Sequence, residues 1–346
     1  MFLLCVGVPM KKTMLIAIKG GLPQSADPIE CGDIVGKDAL LGNCGHPPKI
    51  SRHLEVDDFV IHDEHVQKLL LRRGAVLWEG GGEEDANSPF AVDFTLFLCG
   101  RVTSTFDALW YLQQQSELEP WTSLLASCQA EGRGQMRREW VSPRGNVYVS
   151  LILPEHAIFQ HEGAAIALGY LVTCALRALG YDVYLKWPND IVTADFKKVG
   201  GILIEERNGV VMAGIGLNLV SAPEQEQLRN PLCFQAGTLS SVQTSENKTV
   251  ESFLQSSPFL VCKELVNSMI VEYTYSLSTM NFATVMKNAD TLLTLKGKRI
   301  RFTEDAPHQH SGLCLGLGCS GGLLIQCDDG HTKEVTSGSV SLASYE

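Results

Sequence analysis

The sequence predicts an α+β protein whose chain ends in a small β-barrel, and three observations carry that expectation. Short apolar strands and helices begin to alternate near Phe94, without the even strand–helix–strand period of a parallel array. Gly163–Leu179 reads as one long apolar helix that stops at Gly180, where a C-terminal glycine belongs. Near Leu295 the texture changes to four or five short strands separated by Gly and Asp-Asp-Gly turns, the pattern of a small barrel.

Composition sets the outer limits. The chain has 346 residues, 45% of them apolar and 19% charged, enough for two or three domains with a sizeable core. Lys plus Arg is 28 against 39 for Asp plus Glu, and the net charge of −11 argues against a nucleic-acid partner. No run approaches the ~18 consecutive apolar residues of a membrane span. The start, Met1 to Pro9, is apolar but lacks a preceding basic stretch and is a poor secretory signal; Met10 or Met14 would serve equally as a start. Eleven cysteines are scattered from Cys5 to Cys327 with no C-x-x-C pair. That spacing fits reduced thiols and a cytoplasmic protein, and no resident metal site is expected.

Taken in order, residues 1–95 form a region of undetermined fold. Gly and Pro are dense, Gly80 to Asp85 reads as a connector, and one helix is expected at His62–Arg73. Nine basic residues face fourteen acidic ones there, with no helix–turn–helix pattern, so a DNA-binding arm is not expected. A layer of strands and helices is expected over residues 96–290. Its first strand, Phe94–Cys99, is closed by Gly100, and a helix follows at Asp107–Gln115. Further strands are expected at Leu124–Cys128, Val147–Leu153, Val183–Lys186, Gly201–Glu205 and Val210–Ile215, with a helical zone at Val250–Met280. Residues 291–346 hold the barrel, with strands at Arg299–Phe302, Gly312–Leu317, Leu323–Cys327 and Ser339–Leu342.

Three segments have residue types suited to chemistry. Gln129 to Trp140 (Q-A-E-G-R-G-Q-M-R-R-E-W) combines glycines, which let backbone approach a ligand, with arginines, which offer forked donors to an anion. Lys186-Trp187-Pro188-Asn189-Asp190 follows a hydrophobic strand, and Lys198-Val199-Gly200-Gly201 comes eight residues after Asp190. A lysine between a carboxylate and a glycine pair suits the charge that develops in phosphoanhydride chemistry. Gly214-Ile215-Gly216-Leu217-Asn218 alone is a weak signal, a tight turn or bulge as often as a site.

Together and in this order, from Thr103-Ser104-Thr105 to the C-terminus, the segments resemble the biotin protein ligases. The resemblance implies a class II synthetase-like fold, with a central mixed sheet, flanking helices and a terminal SH3-like barrel. It implies an enzyme that uses ATP and Mg²⁺ to activate biotin as biotinyl-5′-AMP. The biotin then passes to a lysine of a biotin carboxyl carrier domain, and a homodimer paired through the central sheets is allowed. It places Lys198, Arg133 and Asp190 in catalysis, with Lys198 and Arg133 on the negative charge and Asp190 orienting the incoming lysine. Biotin would be met by Ser104, Thr105, Gln129, Gly132, Arg133, Gly134, Gln135, Trp140, Lys198, Gly200 and Gly201. ATP would be met by Arg133, Arg138, Asn189, Lys198, Gly214, Gly216 and Asn218.

The chain departs from the family pattern in the barrel, where Ala343 stands at a position that can carry an ATP-contacting basic residue, and in two earlier segments. Phe106 stands where the early T-S-T-N-D segment has Asn, Gln135 replaces the second arginine of the glycine/arginine loop, and Arg137 replaces a later glycine. Arg137 or Arg138 is the compensating cation, and a looser hold on the adenylate is the expected consequence. The rival readings are a lipoate or octanoate ligase or transferase of the same superfamily, and a regulator that binds biotinyl-adenylate without transferring it.

Overall fold

The computed structural model describes residues 14–17, 77–79, 94–115, 117–223, 234–242, 258–304 and 309–343. The helix expected at His62–Arg73, the connector at 80–85 and the first part of the helical zone at 250–257 lie outside the described residues. Nine strands form the main sheet: β1 (Met14–Ala17), β2 (Leu77–Glu79), β3 (Thr95–Val102), β4 (Ser123–Gln129), β5 (Val147–Ile152), β6 (Val183–Lys186), β7 (Asp190–Thr193), β8 (Lys198–Arg207) and β9 (Val210–Leu217). Their spatial order is β2-β1-β3-β4-β5-β9-β8-β7-β6. The β1–β3 and β3–β4 pairs are parallel and the remaining pairs antiparallel, so the sheet is mixed as expected. A second sheet, β10 (Arg299–Thr303), β11 (His310–Leu317), β12 (Leu323–Cys327), β13 (Thr332–Val335) and β14 (Ser339–Leu342), is antiparallel throughout in the order β13-β12-β11-β10-β14.

The helices are α1 (Thr105–Gln115), α2 (Ala157–Gln160), α3 (Ala164–Ala178), α4 (Pro258–Tyr275) and α5 (Phe282–Asp290). They cover the main sheet on both faces, and strand periodicity shows how. Leu96 and Leu98 of β3 join the apolar cluster that holds Leu171 and Leu176 of α3, Leu265 of α4 and Val285 of α5. Phe97 and Cys99 point the other way and pack with Phe106 and Leu109 of α1. Helix α3 ends as expected at Gly180: with φ +87 there, Tyr181 N reaches Leu176 O at 3.0 Å and Gly180 N reaches Arg177 O at 3.0 Å, a Schellman cap.

Local chemistry moves several boundaries from their expected positions. Strand β3 runs through Gly100 to Val102, because Arg101 and Val102 still pair with Cys128 and Gln129 of β4. Helix α1 begins two residues earlier than Asp107, where the Ser104 hydroxyl accepts from Phe106 N at 3.3 Å. Asp190 opens a strand, β7, that the sequence did not suggest, and Lys198 opens β8 rather than preceding a strand at Gly201.

The second sheet is fastened to the main one. Its Ile300, Phe302, Leu323 and Ile325 belong to the same apolar cluster as α3–α5. Trp187 Nε1 donates to Gly321 O at 3.1 Å, and Leu317 N donates to Asp290 Oδ1 at 2.9 Å. Among the described residues, Cys99, Cys128, Cys174, Cys262, Cys314, Cys319 and Cys327 are free thiols, and no helix is long and apolar enough to cross a membrane.

Candidate functional site

Strands β3 and β4 run parallel and end together, and that shared end gathers a chain of polar groups. Gln129 Oε1 accepts from Thr105 N at 2.9 Å and from Thr105 Oγ1 at 3.1 Å. Its Nε2 donates to Ser142 Oγ at 2.9 Å, and that hydroxyl donates to Trp140 O at 2.9 Å. Ser150 Oγ donates to Thr105 Oγ1 at 2.7 Å. The linked hydroxyl and amide groups hold one another in place and mark this end as uncharged and polar.

The loop after Gln129 closes on itself through Trp140 N to Gly132 O at 2.8 Å and Gly134 N to Arg138 O at 2.8 Å. It then reaches outward in two directions. Arg133 pairs with Asp107 of α1 at 2.5 Å, its guanidinium 5.9 Å from the Phe106 ring centre. Arg138 donates to Ser339 Oγ of β14 at 3.3 Å. The side chain of Arg137 lies outside the described residues.

Glycines make the floor. Gly201 and Gly216 are directly opposed on β8 and β9, and the Trp140 indole lies on both: an added Cβ would fall 2.8 Å and 2.6 Å from its ring atoms. The buried Trp140 Nε1 has no partner among the described residues and lies against Gly216. Gly214 admits Phe106 in the same way, since a Cβ there would stand 2.2 Å from its ring.

Beside that floor, Asp190 holds two lysines. Lys186 Nζ lies 2.9 Å from Asp190 Oδ2, and Lys198 Nζ lies 2.5 Å from Oδ1. Lys186 faces Asp190 across the β6–β7 hairpin. Lys198 gets there by a register shift: Ile191 pairs with Gly200 but Val192 pairs with Lys198, so Val199 is one residue too many. In regular pleating Lys198, three residues from Gly201, would project from the opposite face to Asp190. The bulge turns it to the same face. Its backbone is held by Lys198 N to Gln235 O at 2.7 Å and Gly237 N to Lys198 O at 2.8 Å. Burial pushes the Asp190 carboxyl up, but the two ammonium groups outweigh it and hold the group well below the usual carboxylate range.

These parts line one cavity of about 660 Å³. Of the residues expected from the sequence, Ser104, Thr105, Gln129, Arg133, Gly134, Gln135, Arg138, Trp140, Asn189, Asp190, Lys198, Gly201, Gly214, Gly216 and Asn218 are in its wall. Gly132 and Gly200 are not. Their missing side chains make room for Trp140 O with Ser142 Oγ, and for Leu217, so they permit packing behind the wall. Asn189 Nδ2 is committed to Ile202 O at 2.7 Å and Asn218 Nδ2 to Gly237 O at 3.1 Å. Sequence reasoning gave no role to several other lining residues: Lys186, Tyr148, Phe234 and, from the second sheet, Arg301, Phe302 and Gln309. Lys186 was visible as the partner four residues before Asp190; the others come from distant segments with no local signal. No metal site was expected, yet Cys327, Asp329 and His331 bring possible ligand atoms within 4.8 Å of one another. They sit at the β12–β13 turn and are not part of the cavity wall.

Residues 98–219 match the Biotin/lipoate A/B protein ligase family. A biotin–[acetyl-CoA-carboxylase] ligase of Paracoccus denitrificans is 37% identical over 117 residues, 29% of this chain and 45% of that protein. A bifunctional ligase/repressor BirA of Bacillus subtilis is 37% identical over 110 residues, 30% of this chain and 34% of its own length. The matched stretch thus spans less than half the length of either relative. Among solved structures, biotin protein ligase from Aquifex aeolicus in complex with biotin and ATP superposes with a TM-score of 0.55 at 25% identity, covering 72% of this chain and 99% of that one.

Proposed function

Because residues 98–219 match the biotin/lipoate protein ligase family, we propose that this chain is such a ligase, which activates biotin with ATP and transfers it to a lysine of a biotin carboxyl carrier domain. The observation that carries this reading is one cavity that joins an uncharged hydrogen-bonding cluster, Thr105–Gln129–Ser142, to a cationic one, Lys186–Asp190–Lys198. A ureido ring asks for neutral donors and acceptors, and a carboxylate that becomes a phosphate anhydride asks for fixed positive charge.

In the first step a biotin carboxylate oxygen attacks the α-phosphorus of ATP. The new O–P bond replaces the bond to the β-phosphate oxygen, and pyrophosphate leaves. Lys198 meets the carboxylate and the α-phosphate, and Arg133 moves from Asp107 to the same charge. Trp140, seated on the Gly201–Gly216 floor, gives the acyl chain an apolar wall. In the second step the amine of the acceptor lysine attacks the anhydride carbonyl, the C–O bond to phosphate breaks, and AMP leaves as the amide forms and the amine gives up one proton to solvent. Asp190 Oδ1, released as Lys198 turns to the ligand, accepts a hydrogen bond from that amine and orients it. Positioning and charge neutralisation supply the acceleration.

Mg²⁺ fits as a passenger on the phosphates rather than in a protein cage, because both oxygens of Asp190 are taken by lysines. The amide oxygen of Asn189, whose nitrogen is committed to Ile202 O, is the group that would hold it, and it would supply charge neutralisation at the phosphates. Residues 96–290 form the catalytic unit in this reading and 291–346 the barrel that lends Arg301 and Gln309 to the nucleotide side. A cytoplasmic location is part of this reading, and the free thiols among the described residues are compatible with a reducing compartment.

The test is to incubate the protein with ATP, Mg²⁺, an apo carrier domain and either biotin or octanoate, and to weigh the carrier. A mass gain of one biotinyl group with biotin alone is expected. A gain with octanoate alone would make it an acyl ligase of the other branch. Adenylate without any carrier gain would make it a non-transferring binder.

A further inference from the structure

Asp190 is one carboxylate shared by two ammonium groups that are not equivalent. Lys198 is partly open to the cavity, with 28% of its side chain exposed, and lies 5.2 Å from the Trp140 ring centre. Lys186 is buried, with 8% exposed, and its Nζ lies 5.1 Å from the Phe234 ring centre. Each lysine has its own carboxylate oxygen, so an anion can draw Lys198 away without breaking the contact of Lys186. Neutralising the carboxylate with a single lysine would leave a pair of zero net charge; with both, the cluster carries one positive charge.

We propose that Lys186 is a positioning residue of the anion site: it neutralises Asp190 from behind and so leaves the charge of Lys198 available to a carboxylate or phosphate in the cavity. The inference rests on the reading of Lys198 as the residue that meets the negative charge of the ligand. The other cations of the cavity wall lie outside the Asp190 cluster, Arg301 among them on β10. Arg133 is paired with Asp107, and Arg138 reaches to Ser339.

A plain structural role for Lys186 and a charge-balancing role differ in what a second mutation does. Inorganic pyrophosphate serves as the probe, with its binding measured by titration calorimetry on the full chain. The proteins are wild type, Lys186→Met, Lys186→Arg and the double variant Lys186→Met/Asp190→Asn. Lys186→Met should bind pyrophosphate about tenfold more weakly, as expected for one lost charge-assisted contribution. Lys186→Arg, which keeps the charge, should stay within about threefold of wild type. The double variant should also recover to within about threefold, because Lys198 again carries an uncancelled charge. Unchanged binding by Lys186→Met overturns the proposal, as does a double variant no tighter than the single one. If Lys186→Met does not fold, the double variant decides alone: near-wild-type binding supports the charge account and lost binding overturns it. Pyrophosphate binding that follows this order in a protein that fails to label a carrier with biotin would reject the substrate reading and keep the charge account.

Discussion

Two charged groupings, one in the cavity wall and one reaching it through Arg133, differ in how they are held. Lys186, Asp190 and Lys198 sit on three neighbouring strands, and the carboxylate between them is only 12% exposed. Arg133 and Asp107 reach toward each other from a loop and a helix, with 36% and 46% of their side chains exposed. An exposed pair contributes roughly 0.2–1 kcal/mol, whereas stripping a partner from a buried one costs about 3–5 kcal/mol. The difference suggests a division of labour. In the proposed function the strand-borne cluster is a fixed seat for negative charge, and the loop-borne arginine is a mobile one that can leave Asp107 for a ligand at small cost.

That contrast can be broken most severely at Asp190. In Asp190→Ala two lysines share a pocket with no counter-ion, and thermal unfolding should show a loss of about 3–5 kcal/mol. The same carboxyl is held below its ordinary value of 3.8, so its contribution is present above that pH and is lost as pH falls below it. A plot of wild-type stability against acid pH should therefore slope downward below that value, and the slope should be shallower in Asp190→Asn. A smaller effect is expected from Gly214→Ala, whose methyl would meet the Phe106 ring and push it toward Arg133. Overpacking of this kind costs roughly 1–3 kcal/mol, and denaturant titration should find it, with Phe106→Leu relieving part of the loss. The smallest effect belongs to Asp107→Asn. Freeing Arg133 should leave the unfolding midpoint nearly unchanged while the adenylate dissociates up to about fivefold more slowly, the equivalent of ~1 kcal/mol. A faster release in stopped-flow measurements would show that Asp107 supports the loop instead of competing for it.

Much of the site was legible because its residues are contiguous in sequence. Lys186 to Asp190 and Lys198 to Gly201 are short runs that keep charged groups and glycines together, although strand β7 between them was not suggested, and Gly201 lies opposite Gly216. The long apolar helix and its Gly180 cap were legible for the same local reason. What escaped depends on register and on distant segments. A one-residue bulge at Val199 decides which face Lys198 takes, and no composition or spacing announces it. Phe234 under Lys186, and Arg301 and Gln309 from the second sheet, arrive only when the sheets are docked through Trp187 and Asp290. The departure at Phe106 was visible as an unexpected letter, but its partner Gly214, over a hundred residues away, gives it a physical reason.

In the proposed function the Lys186–Asp190–Lys198 cluster is the seat of biotin activation. Exchange of labelled pyrophosphate into ATP, with and without biotin, in wild type and in Lys198→Ala tests it most directly. Biotin-dependent exchange in the wild type and its loss by about 10²–10³-fold in a folded Lys198→Ala protein are predicted, the scale seen when one preorganised charge-stabilising group is removed. Exchange near the wild-type rate in Lys198→Ala would contradict the account.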